Sequence, residues 1–112
     1  MKIAIPLANG KLAMHFGHCE RFVIVDVDDA TKSIIGKEEA VPPPHEPGVL
    51  PKWLHEKGVN TIIAGGMGMR AQQFFGKYGI KVVVGAPPEH PQTVILDYLK
   101  GTLVTGANVC DH

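Results

Sequence analysis

The chain has 112 residues, with 11 Lys and Arg against 11 Asp and Glu, six His, two Cys and 45% hydrophobic residues. This length supports one core, so we predict a single domain over residues 1–112 and exclude two separately folded ones. A formal net charge of zero argues against nucleic acid or an acidic membrane as a partner, because nonspecific binding to either needs a basic field.

The first half of the chain is predicted to contain three strands. Residues 2–8 form the first strand, although Pro6 weakens it because proline cannot donate to a ladder. Residues 22–28 and 33–41 flank a turn, which predicts an antiparallel hairpin. Residues 42–47 are rich in proline and are interpreted as a rigid connector, with a lid over a site as the alternative.

The second half alternates between helices and strands. Apolar spacing and glycine stops predict a helix near 48–57, a second helix ending at Gly79 and a third that begins near Pro91 and stops at Gly101. The fourth and fifth strands fall at 60–64 and 80–84. These elements predict an α/β fold with a mixed five-stranded sheet, helices on both faces and the strand order 3-2-1-4-5.

The predicted order has a switch point between the first and fourth strands. Ligands of open α/β sheets bind beyond the carboxyl ends of the strands at such a point. The loops that leave these two strands are residues 9–20 and 65–70, and they are also the two segments with unusual chemistry.

The first of these loops carries a cluster of possible metal ligands. His15, His18 and Cys19 place two imidazoles and a thiol within five residues, and Cys110 with His112 forms a second pair. Imidazole and thiolate ligands suit zinc, copper and iron. The alternatives are a surface loop with locally bonded histidines and a Cys19–Cys110 disulfide, which a reducing compartment disfavours.

The second loop combines glycines with a cation. Gly65, Gly66 and Gly68 surround Met67 between a strand and a helix, and Arg70 follows in the first helical turn. Glycines allow close approach to the main chain, and a helix N-terminus favours an anion. A tight turn with Arg70 on the surface is the alternative. Met67 and Met69 are either soft ligands or core residues.

Two enzyme classes could use this part of the chain, a thiol enzyme and a two-metal nuclease. Cys19 beside a histidine could act as an activated thiolate, but no third orienting residue is evident. A two-metal nuclease needs clustered carboxylates, and residues 1–19 contain neither Asp nor Glu. The sequence therefore favours a binding protein over an enzyme.

Several motifs along the chain resemble those of a known family. The opening residues 1–6, His15-Phe16-Gly17, the Gly65–Gly68 run with Arg70, and residues 79–82 followed by Gly85 are similar to the dinitrogenase iron-molybdenum cofactor biosynthesis family. The ending Cys110-x-His112 resembles its shorter cysteine-containing branch, which includes the orange protein with a molybdenum-copper sulfide cluster.

The resemblance implies a three-layer α/β/α, ribonuclease H-like fold without nuclease activity. It also implies a noncatalytic carrier of an anionic metal-sulfur cluster, with cluster donor and acceptor proteins as partners. The two cysteines, too few for a secreted disulfide framework, favour the reducing cytoplasm as its compartment. The cluster would be an iron-molybdenum precursor, an iron-sulfur species or a molybdenum-copper sulfide. The cluster site would contain His15, Gly65, Gly66, Met67, Gly68 and Arg70, and the possible metal ligands are His15, His18, Cys19, Cys110 and His112. The alternative function is a regulatory module that binds a phosphorylated small molecule or a nucleotide at the same place.

Overall fold

A six-stranded mixed sheet forms the frame of the computed structural model, which describes residues 1–44 and 48–106. Five strands lie side by side in the order β4-β3-β1-β5-β6, and β2 pairs with β1 outside that row. β1 pairs antiparallel with β3 and parallel with β5, while the β3–β4 pair is antiparallel and the β5–β6 pair parallel. The strands are β1 (Lys2–Ala8), β2 (Lys11–Leu12), β3 (Arg21–Asp28), β4 (Ser33–Ala40), β5 (Thr61–Ile63) and β6 (Lys81–Val83).

The predicted sheet needs one correction, because it has six strands in the described residues and not five. The additional strand, β2, folds back on β1 through a two-residue turn, with Ala8 opposite Lys11. Both turn residues have left-handed backbone angles, φ 56° at Asn9 and 78° at Gly10. An Asn-Gly pair adopts these angles readily and is a strong hairpin signal. The predicted antiparallel hairpin 22–28/33–41 and the parallel pairing of the first strand with the strand at 60–64 are confirmed.

Helices cover both faces of the sheet. They are α1 (Val49–Glu56), α2 (Met69–Lys77) and α3 (Pro91–Lys100), close to the predicted positions. Side chains alternate across each strand, so Ala4 and Ile24 point toward the core formed with α1 and α2, whereas Ile5 and Val25 point toward the core formed with α3. None of the helices in the described residues is long and apolar enough to cross a membrane.

The carboxyl ends of β1, β5 and β6 meet at one edge of the sheet, because these three strands run parallel. The segments that leave them, beginning near residues 9, 64 and 84, therefore gather at the same edge. The chain returns to this edge after α3, where the Gly106 N–H donates to the Gly85 carbonyl oxygen at 2.7 Å. This edge positions the candidate site.

Candidate functional site

The two loops predicted to meet at the switch point do so through main-chain contacts. The Phe16 N–H donates to the Gly66 carbonyl oxygen at 2.8 Å. A Cβ atom on Gly65 would lie 2.9 Å from the Ala13 carbonyl oxygen and 3.0 Å from the Met14 Cα, closer than a side chain tolerates. Glycine is therefore needed at position 65 because the chain's own first loop approaches it.

Backbone hydrogen bonds hold the first loop against the sheet at both ends. The Ala13 N–H donates to the Pro6 carbonyl oxygen at 2.8 Å, and the Glu20 N–H donates to the Leu7 carbonyl oxygen at 2.7 Å. The segment after β6 contributes as well, since the Glu89 carbonyl oxygen accepts from the Leu12 N–H at 2.9 Å. The loop that carries His15 is thus tied to a rigid frame, which suits a preformed site.

An open cleft of about 510 Å³ lies along the outer side of this loop. Its volume falls in the range of small-molecule sites. In the part of the chain that the structure describes, the lining includes the cation of Lys11 and the imidazole of His15 and contains no carboxylate. The other described lining residues are Ala8, Asn9, Leu12, Ala13, Met14 and Pro88. None of the sequence motifs pointed to Lys11. The Asn9-Gly10 hairpin signal could have placed it, because the turn fixes Lys11 opposite Ala8.

The start of α2 supplies a second favourable environment for an anion. Gly68 is its N-cap, no side chain caps the first turn, and that turn contains no Asp or Glu. The Gln72 amide instead donates to the Met67 carbonyl oxygen at 2.9 Å. The partial positive charge of the helix N-terminus is therefore not offset by a carboxylate of its own turn, and the exposed Arg70 stands beside it.

Two of the predicted ligands point into the protein. Met67 is fully buried and Cys19 is 8% exposed, and both belong to the core beneath α1 and α2. Burial raises the pKa of the Cys19 thiol from its ordinary value of 9.0 to about 11, with a backbone hydrogen bond acting weakly in the opposite direction. Burial therefore favours the protonated thiol at neutral pH, which argues against the activated-thiolate alternative. For Met67 the structure supports the core interpretation.

The other predicted metal ligands are not brought together among the described residues. His15 is exposed at the cleft, and His18 lies in a short 3-10 helix, Phe16–His18. Cys110 and His112 lie outside the described residues, as do residues 45–47 of the predicted connector. Within the described chain, no three residues among His, Cys, Asp and Glu gather in a way that could hold a metal ion.

Two methionines are exposed at this edge, and of these only Met69 was predicted from the sequence as a possible soft ligand. Met14 is 43% exposed and lines the cleft next to His15, and Met69 is 60% exposed at the first residue of α2. Thioethers are soft ligands that suit copper and metal-sulfur species. The exposed atoms at this edge therefore combine cations, imidazole and soft sulfur.

The chain resembles known proteins over most of its length. The model of the dinitrogenase iron-molybdenum cofactor family matches residues 1–101. MJ0580, an uncharacterized protein of Methanocaldococcus jannaschii, is 38% identical over 86 residues, which cover 73% of this chain and 72% of that protein. The crystal structure of PH0822 superposes with a TM-score of 0.83 at 29% identity, covering 95% of this chain and 96% of that one.

A more distant solved structure shares the fold. It is the apo form of the orange protein from Desulfovibrio gigas, with a TM-score of 0.70, 24% identity, and coverage of 96% of this chain and 93% of that one.

Proposed function

The chain belongs to the dinitrogenase iron-molybdenum cofactor family, and from that premise we propose that it binds and carries an anionic metal-sulfur cluster or its precursor. The cargo is a molybdenum-containing or iron-sulfur species, and the protein does not transform it. The proposal includes a ribonuclease H-like architecture without nuclease chemistry, a place in the cytoplasm, and handover between a donor and an acceptor protein.

The meeting of the His15 loop with the start of α2 is the observation that carries this proposal. The Phe16–Gly66 hydrogen bond brings His15 and Met14 beside the segment that leads into Met69 and Arg70. A polyanionic thiometallate is stabilised by cationic side chains and by the amide dipoles of a helix N-terminus, neither of which requires a net positive protein. The zero net charge of the chain is therefore compatible with an anion site at this edge.

The shape and chemistry of the cleft support carriage more than catalysis. Among the described residues that line the cleft there is no carboxylate, and burial favours the protonated form of the Cys19 thiol by raising its pKa. A general acid and base pair or an activated nucleophile would need such groups in contact with the ligand. An open cleft also leaves one side of a bound cluster accessible to an acceptor protein.

The proposal is tested by mixing the protein with tetrathiomolybdate and Cu(I) without air, removing unbound metal, and measuring molybdenum, copper and visible absorption. Wild-type protein should retain both metals, and the His15→Ala, Arg70→Ala double variant should retain at most about a tenth as much. A tenfold loss corresponds to about 1.4 kcal/mol, which is modest for removing a charged partner and an imidazole.

A matched control removes one cation and one imidazole from a different helix, α1. Lys52→Ala with His55→Ala changes one cation and one imidazole on the exposed surface of α1 and should retain metal like the wild type. Equal retention by the two double variants, or none by the wild type, would contradict the proposal.

A thermal shift with a nucleotide panel tests the regulatory alternative, since a ligand at 100 times its Kd stabilises by ~2.7 kcal/mol.

A further inference from the structure

The sheet has two outer edges of unequal length, and the longer one belongs to β4. β4 ends the row of strands with eight residues, whereas β6 at the opposite end has three. No proline interrupts Ser33–Ala40. Among residues 1–44 and 48–106, its main-chain groups make no backbone hydrogen bonds outside the ladder with β3. The outward N–H and C=O groups of β4 therefore form an edge that another strand can join.

Two opposite charges lie on one face of this edge. Lys37 lies opposite Val25 of β3, and Glu39 lies opposite Val23. Both valines belong to the core beneath α3, so the two charged residues share that face of the sheet. Their side chains are exposed and border a cleft of about 310 Å³ at the start of α3. In the described part of the chain neither makes an ion pair, so each can pair with an opposite charge brought to the edge.

The order of charges is complementary to itself when β4 pairs with a second copy. A two-fold axis perpendicular to the sheet makes the two edge strands antiparallel and keeps each face on its own side. Residues that lie opposite each other share a face, so the axis passes beside one residue. With Glu38 at the axis, Lys37 of each copy lies opposite Glu39 of the other. With Lys37 or Glu39 at the axis, that residue meets its own like charge and no Lys–Glu pair forms.

The two Glu38 side chains that meet at this axis each have a cation already in place. Glu38 lies opposite Ile24, on the face that α1 and α2 cover, and its carboxylate is 3.8 Å from the Lys57 Nζ. Two glutamates and two lysines therefore meet there without a net charge. The whole chain is also neutral, with 11 cations and 11 anions, so two copies do not repel each other at long range.

A bulge limits the length of the pairing segment. The β3–β4 register shifts between Asp26 and Val27, which leaves Ile35 without a partner on β3. Bulges bend the strand that contains them, so the regular part of the edge is residues 36–40, about 17 Å long. A contact of this length is smaller than a standard protein interface of roughly 1,200–2,000 Å². The dimer should therefore be in equilibrium with the monomer.

We infer that the β4 edge is an interaction surface for a second copy of this chain, which pairs antiparallel with Glu38 at the two-fold axis and joins two sheets into one. The β1 strands of the two copies then lie five strand spacings apart, about 24 Å. Because the axis reverses the strand direction, the two His15 clefts lie at opposite ends of the joined sheet and both stay open. This surface is therefore separate from the proposed cluster site.

Sedimentation equilibrium of the full chain, from about 10 µM to about 1 mM, measures the association. The wild type should dimerise, and Lys37→Glu and Glu39→Lys should each weaken the dimer by about tenfold or more, because like charges then face each other twice. An equimolar mixture of these two variants should dimerise like the wild type, since both facing pairs again have opposite charges. Lys77→Glu makes the same charge change on α2, which contacts β6 and not β4, and should leave the association unchanged.

Three outcomes would overturn the inference. A wild type that stays monomeric over this range would leave the edge to a strand of another protein. Equal association of the wild type and Lys37→Glu would place the interface elsewhere, and a mixture that stays monomeric would exclude the Glu38-centred pairing. Thiometallate retention separates the two proposals: a dimer without retention contradicts only the carrier function, whereas retention by a strictly monomeric wild type contradicts only this inference.

Discussion

The two loops at the carboxyl edge of the sheet each have a buried row and an exposed row of side chains. The buried row packs in the core, whereas the exposed row faces solvent at the candidate site. The buried row, Ala13, Phe16, Cys19 and Met67, belongs to the core beneath α1 and α2. The exposed row is Met14, His15, Met69 and Arg70. Residues adjacent in sequence thus separate into buried and exposed side chains, so a motif such as His15-Phe16-Gly17 combines a core residue, Phe16, with an exposed imidazole, His15.

The buried row explains why the exposed row can stay fixed. The ring of Phe16 makes edge contacts with Phe75, at 5.6 Å between centroids, and with Phe22, at 6.1 Å. Phe75 lies on α2 and Phe22 on β3, so Phe16 ties the first loop to the helix whose N-terminus contributes to the site. A well-packed aromatic cluster of this kind holds the backbone of His15 and Arg70 in one relative position.

The largest loss of stability is expected when Phe16, at the centre of the buried row, is replaced. Phe16→Ala removes two aromatic contacts and leaves a cavity, which should lower the free energy of unfolding by about 3–5 kcal/mol. Urea denaturation followed by circular dichroism measures it. Phe74→Ala is the control, since Phe74 is half-buried on the same helix, and it should cost clearly less. Equal costs in the two variants would mean that Phe16 does not tie the loops together.

A smaller effect should appear in the pH dependence of stability. Burial raises the pKa of Cys19 from 9.0 to about 11, so the unfolded chain loses this proton first as the pH rises. The stabilisation is complete below pH 9 and is lost as the pH approaches 11. Between pH 8 and pH 10.5 the wild type should therefore lose about 2 kcal/mol more than Cys19→Ala, in which the other titrating groups are unchanged. Parallel pH profiles in urea denaturation would place the Cys19 thiol outside the core.

The sequence predicted the sheet better than it predicted the division between the two rows. Strands and helices follow from apolar periodicity and glycine stops, and the strand order follows from one hairpin and right-handed crossovers. Residues 11–20 have no period, so nothing in the sequence states that Cys19 points inward while His15 points outward. The direction of each side chain depends on contacts with Gly65 and Gly66, fifty residues away in sequence. Lys11 was missed for a different reason, because residues 9–20 were predicted as one loop and not as a tight hairpin at Asn9 and Gly10 followed by a loop.

The smallest expected change in stability is that of Met69→Ala, and Met67→Ala, two residues earlier in the chain, is its comparison. Met67 is fully buried in the core, and Met69 is 60% exposed. Met67→Ala should therefore lower the free energy of unfolding by about 2–5 kcal/mol, through lost burial and a cavity, whereas Met69→Ala should change it by less than about 0.5 kcal/mol. Urea denaturation of both variants under one set of conditions gives the difference. If Met69→Ala proved as costly as Met67→Ala, its side chain would be part of the core, and the exposed row would lose its soft sulfur at the start of α2. A near-neutral Met69→Ala variant leaves a folded protein in which the contribution of that thioether to metal retention can be measured free of any change in stability.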